Sequence, residues 1–347
     1  MGDYAGEFIA AAAPLFSSYR EVRTPGPGNI RLIDLFRYRK MLAAEIRESL
    51  ALGPVVVHFE LSAASLGPFW LLAGRAEDIV TTATVHDPPW AVWWPFRLKS
   101  VAKSKLVQHG IHLPLRPVSA QLERLMLRSN GLFALSEVGA NALRQTFPGP
   151  PVMPAVHFVP PRPALAPLPD RPLAVGLYGH AAKGKGFERL VELRGEIPQN
   201  VEVIVAGRGT EDLPQVPGVT ILGAVEGRRE DAFFESVRAI LLPYDKTSRF
   251  YGQMLPASGV VSRAFAYGTP VIGFDAGTLG EAAKAGGLVV VPASVRALAE
   301  TAYRTITDVA ELERLGKQIA ALRTERAARH AVAPFVTFWR REIEAMG

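Results

Sequence analysis

A run of prolines between two regions of alternating strand-like and helix-like sequence most constrains what this chain can fold into. Residues 148–172 contain ten prolines in 25 positions. Proline fixes φ and has no backbone N–H, so this segment is predicted to hold no regular helix or strand. We interpret it as a domain boundary. The predicted domains cover residues 1–165 and 166–330, and a final helix over residues 331–347 is expected to cross back to the first domain.

On both sides of this boundary, short apolar runs alternate with amphipathic segments. Ile79–Val85 (IVTTATV) and Val201–Ala206 (VEVIVA) are examples of the apolar runs. Such alternation predicts parallel sheets with right-handed crossovers. We therefore expect an α/β fold with two doubly wound, Rossmann-like domains facing a cleft. Residues 1–4 run directly into a helical pattern, so the first strand of the N-terminal domain is predicted to be lost or encoded upstream.

The composition excludes several classes of protein. Hydrophobic residues make up 48% and charged residues 21%, which is typical of globular chains. Because there is no cysteine, disulfides and thiolate metal sites are excluded, and a reducing cytoplasm is the expected location. No apolar run reaches the roughly 20 residues that span a bilayer. The net charge of +6 favours anionic partners, but scattered basic residues without a known binding motif argue against nucleic acid.

The segment 258–277 (SGVVSRAFAYGTPVIGFDAG) is typical of an anion-binding helix followed by a buried strand. Ser258 is a predicted N-cap whose hydroxyl accepts a hydrogen bond from the first turn. Gly259 permits close approach of a ligand to the backbone, and Val260 begins the buried face. Free N–H groups at a helix start beside strand ends form a phosphate site. An ordinary crossover without a ligand remains an open alternative.

A second candidate phosphate site is the loop Gly179–Lys185. It fits the pattern G-x-x-x-x-G-K, but Gly186 follows where a P-loop places the Ser or Thr that holds Mg²⁺. We therefore disfavour an ATPase. The preferred interpretation is that Lys185 faces a diphosphate and Gly186 opens the next helix. A solvated basic loop without a ligand remains the other reading.

The succession of these motifs resembles the nucleotide-sugar half of the GT-B glycosyltransferases, in particular the retaining group called glycosyl transferases group 1. The resemblance covers residues 173–292 well and is fainter over the first half. It implies that Lys185 and Gly186 bind the donor diphosphate, with His180 standing where the family has an assisting arginine. It also makes Ser258, Gly259 and Val260 the donor-phosphate helix and Glu281 the acidic residue of the family's Gly-Gly-x-x-E region.

One departure from the family concerns two glutamates, eight residues apart, that most members carry around this helix. The matching positions hold Leu255 and Arg263. The chain therefore resembles either a divergent branch or a degenerate copy that binds without turnover.

In the first half, the resemblance implies a catalytic role for His86, close to the donor sugar at the end of a strand. It further implies acceptor-side roles for Gly2, at the end of a glycine-rich first loop, and for Ser136 at the next strand end. Trp90 and Trp93, followed by lysines, suit an anionic membrane surface or a lipid-linked diphosphate acceptor. Packing of both tryptophans in the core is an equally open interpretation.

The resemblance implies a glycosyltransferase that moves a sugar from a nucleoside diphosphate sugar, with retention, to a lipid-linked or polysaccharide acceptor. It requires no metal ion or cofactor, and a peripheral position at the inner face of the cell membrane is a further expectation. The alternative is a non-catalytic GT-B-like subunit that binds a partner transferase or a glycan. Nucleotide-sugar epimerases of the same fold would need catalytic carboxylates that the sequence does not place.

Overall fold

The computed structural model describes residues 2–23, 31–61, 79–89, 99, 103–127, 131–244, 247–248 and 252–346. The chain divides into two compact units, which we describe separately. The N-terminal unit comprises the described parts of Met1–Val156, Leu255–Ala257 and Ala331–Gly347. The C-terminal unit comprises those of His157–Met254 and Ser258–His330.

Strands and helices alternate through most of the described sequence. The strands are β1 Val55–Leu61, β2 Ile79–Val85, β3 Gly131–Ala134, β4 Val152–Pro154, β5 Ala174–Tyr178, β6 Glu202–Ala206, β7 Val219–Ile221, β8 Ala239–Leu242, β9 Thr247–Ser248, β10 Gly252–Gln253, β11 Val271–Phe274 and β12 Leu288–Val291. The α-helices are α1 Gly2–Ala12, α2 Leu32–Leu50, α3 Lys105–Met126, α4 Glu137–Thr146, α5 Leu190–Glu196, α6 Arg228–Glu235, α7 Gly259–Ala266, α8 Leu279–Ala285, α9 Val295–Thr307, α10 Val309–Glu325, α11 Ala328–Ala331 and α12 Ala333–Met346.

The N-terminal unit is built on a parallel sheet with strand order β1-β2-β3-β4. Every residue of β2 is buried, as expected for a strand with both faces covered. Helices α1 and α12 contribute aromatic rings to one face of the unit. Phe335 stacks on Phe133 of β3 with ring centroids 4.0 Å apart, and Phe8 meets Phe335 edge to face at 5.0 Å. The C-terminal helix of the chain is therefore part of the N-terminal core.

The prediction that the proline-rich segment holds no strand is wrong at β4. Val152–Pro154 pairs in parallel with β3, with Val152 opposite Leu132. The physical reason is that β4 lies at the edge of the described sheet. A proline there removes no hydrogen bond to a further described strand. Pro154 is also the last residue of the strand.

The C-terminal unit is a doubly wound α/β structure. Its main sheet, in the described residues, has six parallel strands in the order β12-β11-β8-β5-β6-β7, and β9 and β10 form a separate antiparallel pair. The chain leaves β5 toward β6 and β7, and then returns to the other side of β5 with β8, β11 and β12. The order thus reverses between the neighbours β5 and β8, a topological switch point. In open sheets of this kind, ligands bind beside the carboxyl ends of the strands at this point.

Candidate functional site

Two glycines close the loops at the carboxyl ends of β5 and β6. Gly179 N donates to Ala206 O at 3.0 Å, and Gly207 N donates to Gly223 O at 2.8 Å. Gly207 has φ +132°, and a Cβ at this position would overlap the carbonyl of Gly179. Only glycine allows the two loops to come this close. The neighbouring His180 places Nδ1 3.0 Å from Arg208 O, an acceptor, which assigns the hydrogen to Nδ1 and leaves Nε2 as the other ring nitrogen.

The Lys185 loop contacts the end of β8, across the switch point. Gly186 has φ +86°, and a Cβ there would lie 2.5 Å from Pro243 O, so a larger residue would push the loop away from β8. Lys185 Nζ lies 4.7 Å from the centroid of the Tyr244 ring, a cation–π arrangement. The loop therefore holds a positive charge beside the adjacent ends of β5 and β8. Tyr244 was not identified from the sequence, although it directly follows the apolar run of β8.

Helix α7 begins beside the same loops. Val260 Cγ2 lies 3.0 Å from the position that a Cβ would take at Gly179, so the first turn of α7 packs against the β5 loop. Gly259 is exposed. His157 Nε2 lies 3.9 Å from the corresponding Cβ position of Gly259. This second imidazole at the helix start was also missed, since it comes from the proline-rich segment.

The predicted capping bond of Ser258 is wrong. Ser258 occupies the N-cap position of α7, but its hydroxyl accepts no hydrogen bond from the first turn. Its Oγ is buried near the Tyr244 phenol and makes no hydrogen bond with the described residues. Burial raises the pKa of Tyr244 to about 12, so this phenol stays neutral near pH 7. Because the N-cap side chain makes no bond to the first turn of α7, the N–H groups of that turn and the helix dipole favour an anion.

The position matched to the second family glutamate carries a cation in an ion pair. Arg263 NH1 lies 3.5 Å from Oε2 of Glu230, a buried residue of α6. The same carboxylate accepts hydrogen bonds from the phenols of Tyr178 and, at 3.1 Å, Tyr267. Burial raises the pKa of both phenols, and Glu230 raises both further. The other matched position, Leu255, lies in the N-terminal unit.

Glu281 lies in the first turn of α8. Its charge acts on Arg326: burial lowers the pKa of this arginine, whereas Glu325 and Glu281 raise it. The described contacts thus connect Lys185, Gly186, Ser258 and Val260 through Gly179 and Tyr244. For Glu281, the electrostatic partner that the structure identifies is Arg326.

In the N-terminal unit, His86 is part of a polar cluster on one face of β1 and β2. His86 Nε2 lies 2.6 Å from Glu60 Oε2, and His58 Nε2 lies 3.2 Å from Glu60 Oε1. Thr84 Oγ1 donates to Glu60 Oε1 at 3.3 Å. The other ring nitrogen of His58, Nδ1, lies 2.9 Å from Thr82 Oγ1. The parallel register explains the cluster, because His58 pairs with Thr82 and Glu60 with Thr84, and alternate residues share a face.

Glu60 is ionised in this cluster. Burial raises the pKa of its carboxyl group, but hydrogen bonds from His58 and His86, together with their charges, outweigh burial and lower the pKa to about 2. Glu60 and His58 were not identified from the sequence. The available signal was polar residues at every second position of two adjacent apolar strands.

Two remaining predicted residues and one pair are placed as follows. Ser136 Oγ accepts a hydrogen bond from Gly139 N at 3.0 Å and so caps α4, with its side chain buried. Gly2 is the first residue of α1. Trp90 and Trp93 lie outside the described residues. Within the described ranges, no group of three or more His, Cys, Asp or Glu side chains is arranged to hold a metal ion.

The sequence of the C-terminal unit matches a known family. Residues 172–308 match the family model Glycosyl transferases group 1. A search of curated protein sequences gives no significant match.

Comparison with solved structures identifies the fold. HepE from Anabaena, in complex with UDP, aligns with a TM-score of 0.58 and 13% identity, covering 86% of this chain and 82% of HepE. The α,α-trehalose 6-phosphate synthase from Burkholderia multivorans aligns with a TM-score of 0.57 and 13% identity, covering 99% of this chain and 83% of the synthase. TarM aligns with a TM-score of 0.57 and 12% identity, covering 82% of this chain and 54% of TarM. The chain therefore spans about half of the length of TarM. These relatives are GT-B glycosyltransferases, and the two parallel-sheet units have the GT-B architecture.

Proposed function

We propose that this chain is a glycosyltransferase that uses a nucleoside diphosphate sugar as donor. The observation that carries the proposal is the position of Lys185. Its ammonium group lies over the Tyr244 ring at the switch point between β5 and β8, beside the uncapped start of α7. A point charge and a free helix N-terminus at adjacent strand ends are suited to a diphosphate.

The same groups would act on the leaving group. When the bond between sugar and diphosphate breaks, negative charge accumulates on the diphosphate oxygens. Lys185 and the first-turn N–H groups of α7 are positioned before the reaction, so they stabilise this charge without reorganisation. His180 keeps its Nδ1–H on Arg208 O, and its proposed role is to line the donor site beside the Lys185 loop. Four further residues of the proposed donor site let the loops pack closely while leaving room for the ligand: Gly186, Ser258, Gly259 and Val260. Glu281 is the last residue of the proposed donor site.

The comparisons support a nucleotide of this class without identifying it. The Anabaena HepE structures contain UDP and UDP-glucose, and HepE shares the fold at low identity. UDP sugars are therefore the first donors to test. In the N-terminal unit, His86 is the proposed group that hydrogen-bonds the transferred sugar. Retention of configuration is part of the proposal and follows from the family resemblance.

The acceptor in this proposal is a glycan or a lipid-linked diphosphate, and Gly2, Trp90, Trp93 and Ser136 are the proposed acceptor-side residues. Contact with an anionic membrane surface at the cytoplasmic face would bring such an acceptor to the enzyme. Among the described helices, none is long and apolar enough to cross a membrane. The form of membrane association that we propose is peripheral contact.

Turnover of sugar nucleotides tests the proposal against its alternative, a non-catalytic binding subunit. That alternative is favoured by Leu255 and Arg263, which replace the two family glutamates. The full chain is incubated with UDP-, GDP- and ADP-sugars, with and without a cell extract as a source of acceptor. Release of the nucleoside diphosphate is then followed by mass spectrometry. We expect release from one donor class, increased by the extract. Binding of a nucleotide without any release would support the binding subunit.

A further inference from the structure

The N-terminal unit contains a directed chain of hydrogen bonds that ends at His86. It starts at Trp339 of α12, whose indole N–H can only donate and lies 2.9 Å from Thr82 Oγ1. Thr82 Oγ1 therefore accepts this bond and has its own hydrogen available for His58 Nδ1, 2.9 Å away. His58 Nε2 lies 3.2 Å from Glu60 Oε1 and 3.0 Å from Thr84 Oγ1. Because the Glu60 carboxylate can only accept, His58 carries a hydrogen on Nε2, and its Nδ1 accepts from the Thr82 hydroxyl.

Glu60 determines the direction of the last step. Its carboxylate is ionised and can only accept hydrogen bonds. Oε1 accepts from His58 Nε2 and from Thr84 Oγ1, and Oε2 accepts from His86 Nε2 at 2.6 Å. His86 must therefore carry a hydrogen on Nε2. No hydrogen bond to His86 Nδ1 is made by any residue in the described ranges, and 13% of the His86 side chain remains exposed.

We infer that Glu60 is a positioning residue that holds His86 in the Nε2-protonated tautomer, so that Nδ1 accepts a hydrogen bond from a sugar hydroxyl. The sugar as ligand rests on the proposed function, whereas the tautomer does not. The edge-to-face contact between Tyr4 and His86, with centroids 4.9 Å apart, fixes the ring plane. The Glu60 carboxylate thus determines which nitrogen of His86 is available to a ligand, and the Tyr4 ring determines the direction in which that nitrogen points.

Glu60→Gln changes this tautomer without changing the size of the side chain. The glutamine oxygen is expected to stay with its two donors, the His58 Nε2–H and the Thr84 hydroxyl. Its NH₂ group then faces His86 Nε2, which must become an acceptor, so the His86 hydrogen moves to Nδ1. Replacing the carboxylate of a Ser-His-Asp triad by an amide has the same effect on its histidine.

The measurement is imidazole ¹⁵N NMR of the full chain with labelled histidine, which distinguishes the two tautomers directly. The chain has seven histidines, and His86→Gln and His58→Gln variants assign the two signals. Thr81→Val is the matched control, because Thr81 neighbours Thr82 on β2 and its buried Oγ1 has no hydrogen-bond partner. We expect Nε2–H for His86 in the native chain and in Thr81→Val, and Nδ1–H in Glu60→Gln.

Turnover is measured on the same samples. With an active donor, Glu60→Gln should lower kcat/KM by roughly twofold to tenfold, the range for one hydrogen bond between neutral groups, while nucleotide binding is unchanged. His86 in the Nδ1–H form in the native chain, or in the Nε2–H form in Glu60→Gln, would overturn the inference. If the tautomers behave as expected and no donor is turned over, the proposed function fails and the positioning role of Glu60 stands.

Discussion

Glu60 Oε2 and His86 Nε2 lie 2.6 Å apart, between two neighbouring parallel strands, and this pair connects the polar face of the N-terminal sheet to the end of β2. The side chain of Glu60 is 19% exposed. A carboxylate in such a position is retained only because its partners stabilise the charged form more than burial destabilises it. The pair therefore makes the stability of the protein depend on pH.

The first prediction concerns this dependence. The pKa of Glu60 is about 2 in the folded chain, against an ordinary value of 4.5, so the ionised form favours folding. Its contribution is fully present above pH 4.5 and is lost as the pH falls toward 2. A difference of this size corresponds to about 3 kcal/mol. Urea unfolding between pH 6 and pH 3 should show the native chain losing more stability than Glu60→Gln. A constant difference between the two over this range would contradict the predicted pKa.

The second prediction uses two adjacent threonines of β2. Thr82→Val leaves Trp339 Nε1 and His58 Nδ1 without their hydrogen-bond partner, which should lower the free energy of unfolding by about 1–3 kcal/mol. Thr81→Val removes a buried hydroxyl that has no partner, so it should be neutral or stabilising. Urea denaturation of the two variants provides the comparison. Equal losses would show that the Trp339–Thr82–His58 connection does not contribute to stability.

The third prediction concerns close approach of the loops in the C-terminal unit. Gly207→Ala and Gly186→Ala each place a Cβ on a backbone carbonyl at a positive φ, so each should cost about 2 kcal/mol or more and abolish nucleotide binding. Gly195→Ala is the control, because no atom lies within 4 Å of its Cβ position and alanine favours the helix α5. Calorimetric titration with nucleotide, beside thermal melts, tests all three. Unaltered binding by Gly207→Ala would contradict the described contact with Gly179.

The fourth prediction concerns the missing glutamates. Arg263→Glu restores the residue type of the family but places a second carboxylate beside buried Glu230 and removes one of its cationic partners, leaving Arg162 Nε 3.8 Å from Glu230 Oε2. The variant should lose about 3–5 kcal/mol, as when a buried pair is broken. Glu226→Ala, an exposed change in the turn before α6, should change stability by less than about 0.5 kcal/mol. If Arg263→Glu is as stable as the native chain, the ion pair between Arg263 and Glu230 does not contribute to the free energy of unfolding.

The sequence predicts the framework of the fold because strands and helices follow from local patterns. The apolar run Ile79–Val85, for example, is a strand with the same bounds in the structure. The strand β4 was missed because it depends on pairing with β3, which a local pattern cannot show. The proline density of the segment argued against it.

The candidate sites depend still more on distant partners. His86 and Lys185 were identified by resemblance, but Glu60 lies 26 residues from His86 and is brought to it only by the register of β1 and β2. The side chain of Ser258 faces Tyr244 rather than its own helix, a choice that depends on packing in the C-terminal unit. Residue type and spacing therefore located the loops that carry the site, and the tertiary contacts decided which side chains complete it.

The central claim is that a nucleoside diphosphate binds at the Lys185 loop. Nucleotide-dependent thermal stabilisation tests it most directly, with UDP, GDP, ADP and ATP added to the native chain, to Lys185→Ala and to Lys183→Ala. Lys183 is an exposed lysine of the same loop and serves as the matched control. A ligand at a hundred times its dissociation constant adds about 2.7 kcal/mol to the folded state. We predict stabilisation by one diphosphate, lost in Lys185→Ala and kept in Lys183→Ala. Stabilisation by ATP alone, or by no nucleotide, would contradict the account.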